Sequence, residues 1–127
     1  MGEMEQCKVI AHQFVQNYYE TLDKIGLRQN LTHVYTDETQ MMYEGQLYTG
    51  KQAVMEKLMI LPGNMARMCS AVDALIIENG YLLVNIMGQQ KVDQDPPLGF
   101  VHSFVLAQKE SRIFIAKEIF RLVLHDL

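Results

Sequence analysis

Arg67-Met-Cys-Ser-Ala-Val-Asp-Ala-Leu-Ile-Ile-Glu78, then Asn79-Gly80, then Tyr81-Leu-Leu-Val-Asn-Ile-Met-Gly-Gln-Gln-Lys91: over these residues the hydrophobic period falls from that of a helix to two. Leu82, Val84 and Ile86 take one face of the return strand and Leu83 the other, the alternation of a sheet. Asn79-Gly80 is the strongest hairpin signal in the chain, because both residues tolerate the positive φ that a two-residue turn requires. The same rhythm continues downstream. Phe100 to Lys109 is a strand, Glu110-Ser111 a turn, and Arg112 to Leu124 the last strand. On that strand Phe114, Ala116, Phe120, Leu122 and Leu124 share one face, and Ile113, Ile115 and Ile119 oppose them.

Upstream the period is helical. Apolar residues fall at Cys7, Ile10, Ala11, Phe14, Val15, Tyr18, Leu22 and Ile25, in steps of three and four. This predicts an amphipathic helix over residues 4–25, ended by Gly26. A short second helix is expected from Leu27 to Tyr35, and Thr36-Asp37-Glu38 breaks it. Thr39 to Tyr43, the turn Glu44-Gly45 and Gln46 to Tyr48 form a small hairpin. A third helix runs from Lys51 to Leu61 with Val54, Leu58 and Leu61 as its buried stripe, closed by Pro62-Gly63. The expected fold is α+β: helices first, packed on one face of a long antiparallel meander. Residues 1–127 are expected to form one domain, since a chain of this length buries most of its apolar surface in a single core.

Both faces of the late strands are apolar. One packs on the helices; the other would be left bare in a monomer, which predicts a homodimer. Hydrophobic residues make up 49% of the chain and charged ones 20%, a globular balance. A net charge of −4 without a basic cluster argues against nucleic acid as partner. Cys7 and Cys69 stand in no metal-binding or redox spacing, and no cofactor motif is present. With no signal peptide evident, they suggest a reducing compartment. No apolar run reaches the ~20 residues that span a bilayer. The nine Met suit core filling or an adaptable surface.

Lys91-Val-Asp-Gln-Asp-Pro-Pro-Leu-Gly-Phe100 is the candidate working segment. Pro96-Pro97 removes two donors and fixes two φ angles, so Asp93 and Asp95 sit on a stiffened loop between strands. Such loops often carry function, although a solvated acidic turn has the same composition. Chemistry for an enzyme is thin. His12, His33, His102 and His125 form no ligand pair. His102, between Phe100 and Phe104, either serves as an acid or base in a cavity or satisfies a hydrogen bond in the sheet. Asp73, among apolar residues, poses the same choice.

Taken in order, Phe14-Val15-Gln16-Asn17-Tyr18-Tyr19, Tyr43-Glu44-Gly45-Gln46, Gly50-Lys51, Glu56-Lys57-Leu58 and Leu61-Pro62 resemble the nuclear transport factor 2 family. So do Gly88-Gln89, Asp93-Gln94-Asp95-Pro96, Gly99-Phe100 and Phe120-Arg121-Leu122-Val123-Leu124-His125. The resemblance implies a helix-backed, strongly bent sheet closing into a cone with an apolar mouth. It implies a homodimer formed sheet to sheet. It implies a carrier of the GDP-bound GTPase Ran into the nucleus, found in cytoplasm, nucleus and nuclear pore. By resemblance the rim acids are Glu44, Asp93 and Asp95. Tyr43 is the aromatic wall, and Leu61, Phe100 and Phe120 complete the lining. The family also binds Phe-Gly repeats of pore proteins through a Trp of the first helix. This chain has no Trp, and Cys7 stands there with Met4 and Ile10 as neighbours.

Two other readings compete. One is a heterodimerising subunit of an mRNA export receptor. The other is a cone-fold enzyme of the isomerase or dehydratase type, using Asp73 or His102 with a Tyr. The intact rim acids favour the carrier, and an enzyme would need an acid and a base converging in a substrate pocket.

Overall fold

The computed structural model describes residues 2–123. Leu124 and His125, placed at the end of the last strand and in the family resemblance, lie outside the described residues. Helix α1 is Glu3–Leu22, a 3-10 helix spans Arg28–Val34, and α2 is Lys51–Met59. The strands are β1 (Tyr35–Tyr43), β2 (Gln46–Thr49), β3 (Met65–Ile76), β4 (Leu82–Val92), β5 (Leu98–Lys109) and β6 (Arg112–Val123). They form one sheet in the order β2-β1-β6-β5-β4-β3, antiparallel except for the β1–β6 pair. The parallel pair explains why β1, early in the chain, lies beside the last strand.

The α+β class holds, with corrections. The helices are not all N-terminal: α2 follows the β1–β2 hairpin. The second helix is 3-10, not α. The sheet is open, with β2 and β3 as its edges, not closed on itself.

α1 stops at Leu22, so Ile25 is exposed instead of joining the apolar stripe. The stripe that is buried runs Cys7, Ala11, Phe14, Val15, Tyr18, Tyr19 and Leu22. It packs on inward residues of the sheet: Val84, Ile86, Phe100, Phe104, Leu106, Ile115 and Phe120.

Three register shifts interrupt the ladders. In β1 the break expected at Thr36–Glu38 is a bulge within a longer strand. Thr39 is buried there; its hydroxyl donates to Ile115 O at 2.6 Å and accepts from Thr36 N at 2.9 Å. In β6, Val105 pairs with Lys117 but Leu106 with Ile115, so Ala116 is the extra residue. That slip reverses the alternation. Ile115 points into the core and Phe114 away from it, while Phe120 remains inside. The expected single face from Phe114 to Phe120 is therefore wrong, because a one-residue bulge flips every side chain on one side of it.

The third shift, between Cys69 and Ala71, faces Gly88. A Cβ on Gly88 would lie 2.2 Å from Met68 O, a backbone atom that cannot swing aside. Gly88→Ala is expected to lower stability by about 2–3 kcal/mol through overpacking. Urea unfolding would show it as a reduced midpoint at unchanged slope.

The hairpin turns are legible in chemistry. Glu44 and Gly45, Asn79 and Gly80, and Glu110 and Ser111 all adopt positive φ. Tyr81 N bonds Glu78 O across the Asn79-Gly80 turn. Two successive positive φ values match the right-handed strand twist.

Candidate functional site at one end of the sheet

β1 ends at Tyr43 beside Phe120 of β6, and Phe100 of β5 faces Leu122. β5 begins where β4 ends, and Val92 of β4 faces Met65 of β3. All the segments proposed for the rim therefore meet at one end of the sheet. Asp93 N donates to Asn64 O at 3.0 Å, and Asp95 N to Val92 O at 3.0 Å. The acidic loop is thus tied to the segment that follows Leu61. Both acids are exposed, and Asp93 holds a left-handed φ of 51°.

Tyr43, Phe120 and Phe100 stack in series, with centroids 4.7 Å and then 5.7 Å apart. Tyr43 is half-buried and Leu61 likewise, whereas Phe100 and Phe120 are only 1% exposed. The two Phe form a floor under Tyr43; they do not line an open mouth. Burial pushes the Tyr43 hydroxyl up to about 12, so it stays a donor. Lys57 Nζ lies 5.2 Å from its ring centroid.

Glu44 sits on the turn after Tyr43 at φ 51°. Its Oε1 accepts from Leu122 N at 2.5 Å, and its own N–H donates to Phe120 O at 3.0 Å. The acid therefore extends the β1–β6 ladder, besides the rim role that resemblance assigns to it. Sequence reasoning did not foresee that second role.

Two further groups were missed. Arg67 is buried among the rings, its Cζ 4.5 Å from the Tyr19 centroid and 5.4 Å from that of Phe100. Its Nε donates to both oxygens of Asp23 at 3.0 Å, and its Nη1 to Gln90 Oε1 at 2.6 Å. Burial raises the Asp23 carboxyl, and the Arg67 charge opposes that rise. The second group is a sealed polar chain. Tyr19 Oη and His102 Nδ1 are 2.6 Å apart, and His102 Nε2 and Glu118 Oε2 also 2.6 Å. Tyr35 Oη donates to Glu118 Oε1 at 2.7 Å and lies 2.6 Å from Tyr18 Oη.

An acid and a base do converge at His102, as an enzyme would require. They are buried, however: His102 is 1% and Glu118 2% exposed. A substrate cannot reach a base held under the core without unpacking it. Asp73 faces Asn85 across the β3–β4 ladder on the exposed side. Among the described residues no group of three His, Cys, Asp or Glu could hold a metal ion, and no helix is long and apolar enough to cross a membrane.

The comparisons decide the family. Residues 10–122 match the nuclear transport factor 2 (NTF2) domain. The chain belongs to the nuclear transport factor 2 family. Nuclear transport factor 2 of Neurospora crassa is 36% identical over 118 residues, covering 91% of this chain and 94% of that protein. The probable nuclear transport factor 2 of Caenorhabditis elegans is 32% identical over 123 residues, 92% of each chain. The structure of nuclear transport factor 2 from Cryptosporidium parvum superposes with a TM-score of 0.86 at 26% identity, over 93% of this chain and 95% of that one. Relatives of this kind make the chain a nuclear transport carrier and not an enzyme.

Cys7, Met4 and Ile10 separate on α1. Met4 is exposed, Ile10 borders solvent, and Cys7 is buried. Cys7 and Ile10 both line an apolar recess of about 130 Å³ with Leu82, Leu106 and Ile113.

Proposed function

We propose that this chain, acting as one domain over residues 1–127, carries the GDP-bound GTPase Ran from cytoplasm to nucleus through the pore. The observation that supports it most is that Glu44, Leu61, Asp93 and Asp95 lie at the same end of the sheet as the Tyr43–Phe120–Phe100 stack. An aromatic anchor flanked by fixed carboxylates suits a partner that presents a ring beside basic side chains. The bent sheet with α1 and α2 behind it acts as the cone, and Tyr43 with Leu61 is its lip. Tyr43 and Leu61 meet the entering ring, and Phe100 and Phe120 support them as the floor beneath. Selection for GDP follows from the partner, whose switch segment is rearranged by GTP.

The test is calorimetric binding to Ran loaded with GDP and, separately, with GTP. Binding to the GDP form alone is expected. Asp93→Asn combined with Asp95→Asn should weaken it by about 2–5 kcal/mol without changing stability, because both side chains are exposed. Glu44→Gln is the better control at the third acid, since it removes charge but keeps an acceptor for Leu122 N. Equal binding to both nucleotide forms, or none, would overturn the proposal.

The outer sheet face supports a homodimer. Met68, Leu75, Met87 and Ile119 stand exposed on it, and the ladder sets Met87 beside Val101. Met87→Glu is expected to halve the mass seen by sedimentation, because a buried unpaired charge opposes association. Phe-Gly repeats of pore proteins are assigned to α1, with Met4 and Ile10 as contacts and Cys7 in the wall of the recess behind them.

A further inference from the structure

Between α1 and β3 lies a cleft of about 450 Å³, whose lining includes none of Tyr43, Glu44, Asp93 and Asp95. Its walls are Val15, Val72 and Met65, its floor Tyr19 and Arg67, and Asp23 and Cys69 also border it. The volume is in the range of small-molecule sites, which pair apolar walls with a few placed polar groups. Arg67 is such a group, with a side chain only 3% exposed. A guanidinium carries five N–H bonds. Nε–H is shared by the two Asp23 oxygens, one Nη1–H goes to Gln90, and one Nη2–H meets only the Met65 sulfur, at 3.7 Å. Two N–H bonds are left with no acceptor among the described residues. A buried donor in that condition favours any acceptor that reaches it.

We propose that this cleft binds a small uncharged ligand that carries a carbonyl acceptor on a planar apolar body, the carbonyl on Arg67 and the body between Val15 and Val72. Charge sets the class. Asp23 already neutralises Arg67, and Glu20 and Lys24 at the border offset each other, so a carboxylate on Arg67 would meet Asp23 with no unmatched cation to hold it; His12 also borders the cleft. An amide or ketone oxygen takes the free N–H bonds without that repulsion. The site is separate from the rim acids and does not depend on the partner assigned to them.

Benzamide is the probe, and benzoate its charged counterpart. Titrated into the labelled protein, benzamide should move the amide signals of Val15, Tyr19, Met65 and Val72 saturably. So few atoms support a dissociation constant in the low-millimolar range. It should also slow alkylation of Cys69 by iodoacetamide at least threefold; Cys7 is buried and does not compete. Arg67→Met with Asp23→Asn removes the pair together and should weaken binding tenfold or more. Val72→Phe fills the cleft, leaves the pair intact and should abolish it. The proposal is overturned by an absence of saturable shifts at the cleft. It is equally overturned if Val72→Phe binds as the parent does, or if benzoate binds tighter than benzamide.

Discussion

Arg28→Met is expected to lose about 4 kcal/mol of stability. Arg28 is fully buried, and four of its five N–H bonds serve backbone carbonyls. Nε bonds Leu22 O at 2.8 Å, Nη1 bonds Leu58 O at 3.1 Å and Leu61 O at 2.9 Å, and Nη2 bonds Pro62 O at 2.9 Å. Leu22 closes α1, and Leu58 to Pro62 close α2. The last carbonyls of a helix have no partner within it, and they carry the negative end of its dipole. One cation therefore caps two helices and fastens them to each other. Methionine fills similar space but leaves the Leu22, Leu61 and Pro62 oxygens without a donor, at about 1–3 kcal/mol for each that water cannot reach, while Leu58 O keeps the Leu61 N–H. Partial solvation of Leu61 O and Pro62 O brings the sum down to the figure given. Arg28→Lys should recover part of the loss, since an ammonium reaches fewer carbonyls than a planar fork. Urea unfolding of the three proteins measures this directly. A loss below about 1 kcal/mol for methionine would mean that the carbonyls find other donors. The substitution should also loosen Leu61 and, through Asn64 O, the Asp93 loop. The lip and the stability of the fold share this residue.

Arg28 also shows where sequence reading stops. It stands just after Gly26-Leu27, in a segment where charged residues are ordinarily solvated, and nothing in its spacing points inward. The meander was legible because alternation and turn chemistry are local. Leu82, Val84 and Ile86 fall inside as expected, and Asn79 and Gly80 take the positive φ their identities allow. The β6 bulge was not legible, because Ala116 extends an apolar run in either phase. Glu118 did carry a signal. It lies within Ala116-Lys117-Glu118-Ile119-Phe120, on the parity of Phe120, and that parity is inward. A lone carboxylate on a core face implies buried donors, since an unpaired one would not be tolerated. Glu44, Asp93 and Asp95 are assigned to a rim by resemblance; pattern alone marks only the stiffened loop of Asp93 and Asp95 as a candidate. Asp93 and Asp95 alone are indistinguishable from a solvated turn.

Glu118→Leu should cost about 4 kcal/mol, because removing one member of a buried pair strands the others. The proton inventory identifies what is stranded. Burial holds the Tyr18, Tyr19 and Tyr35 hydroxyls well above their ordinary value, so all three keep their protons. Burial also lowers His102, against the opposing pull of Glu118, so the ring is neutral at pH 7. Neutral His102 then donates from Nε2 to Glu118 and accepts from Tyr19 at Nδ1. Glu118 receives His102 and Tyr35, with Tyr18 at 3.2 Å. A leucine leaves these donors facing hydrocarbon. The same inventory fixes the pH dependence. The unfolded chain protonates His102 near about 6.5, and the folded chain only below that. Between those two values the unfolded state binds more protons, so stability falls as pH drops below about 6.5 and is constant with respect to this group above it. His102→Gln keeps a hydrogen-bonding side chain but cannot titrate. It should flatten the fall in urea midpoint on going from pH 7 to about pH 5.5, while lowering the midpoint at pH 7. An unchanged slope in that variant would place the titration elsewhere. Phe104 and Phe120 pack on the His102 ring, at 4.2 Å and 5.1 Å. Protonation there disturbs the floor on which Tyr43 rests, so the affinity of the lip for its partner should weaken over the same pH interval as the fold.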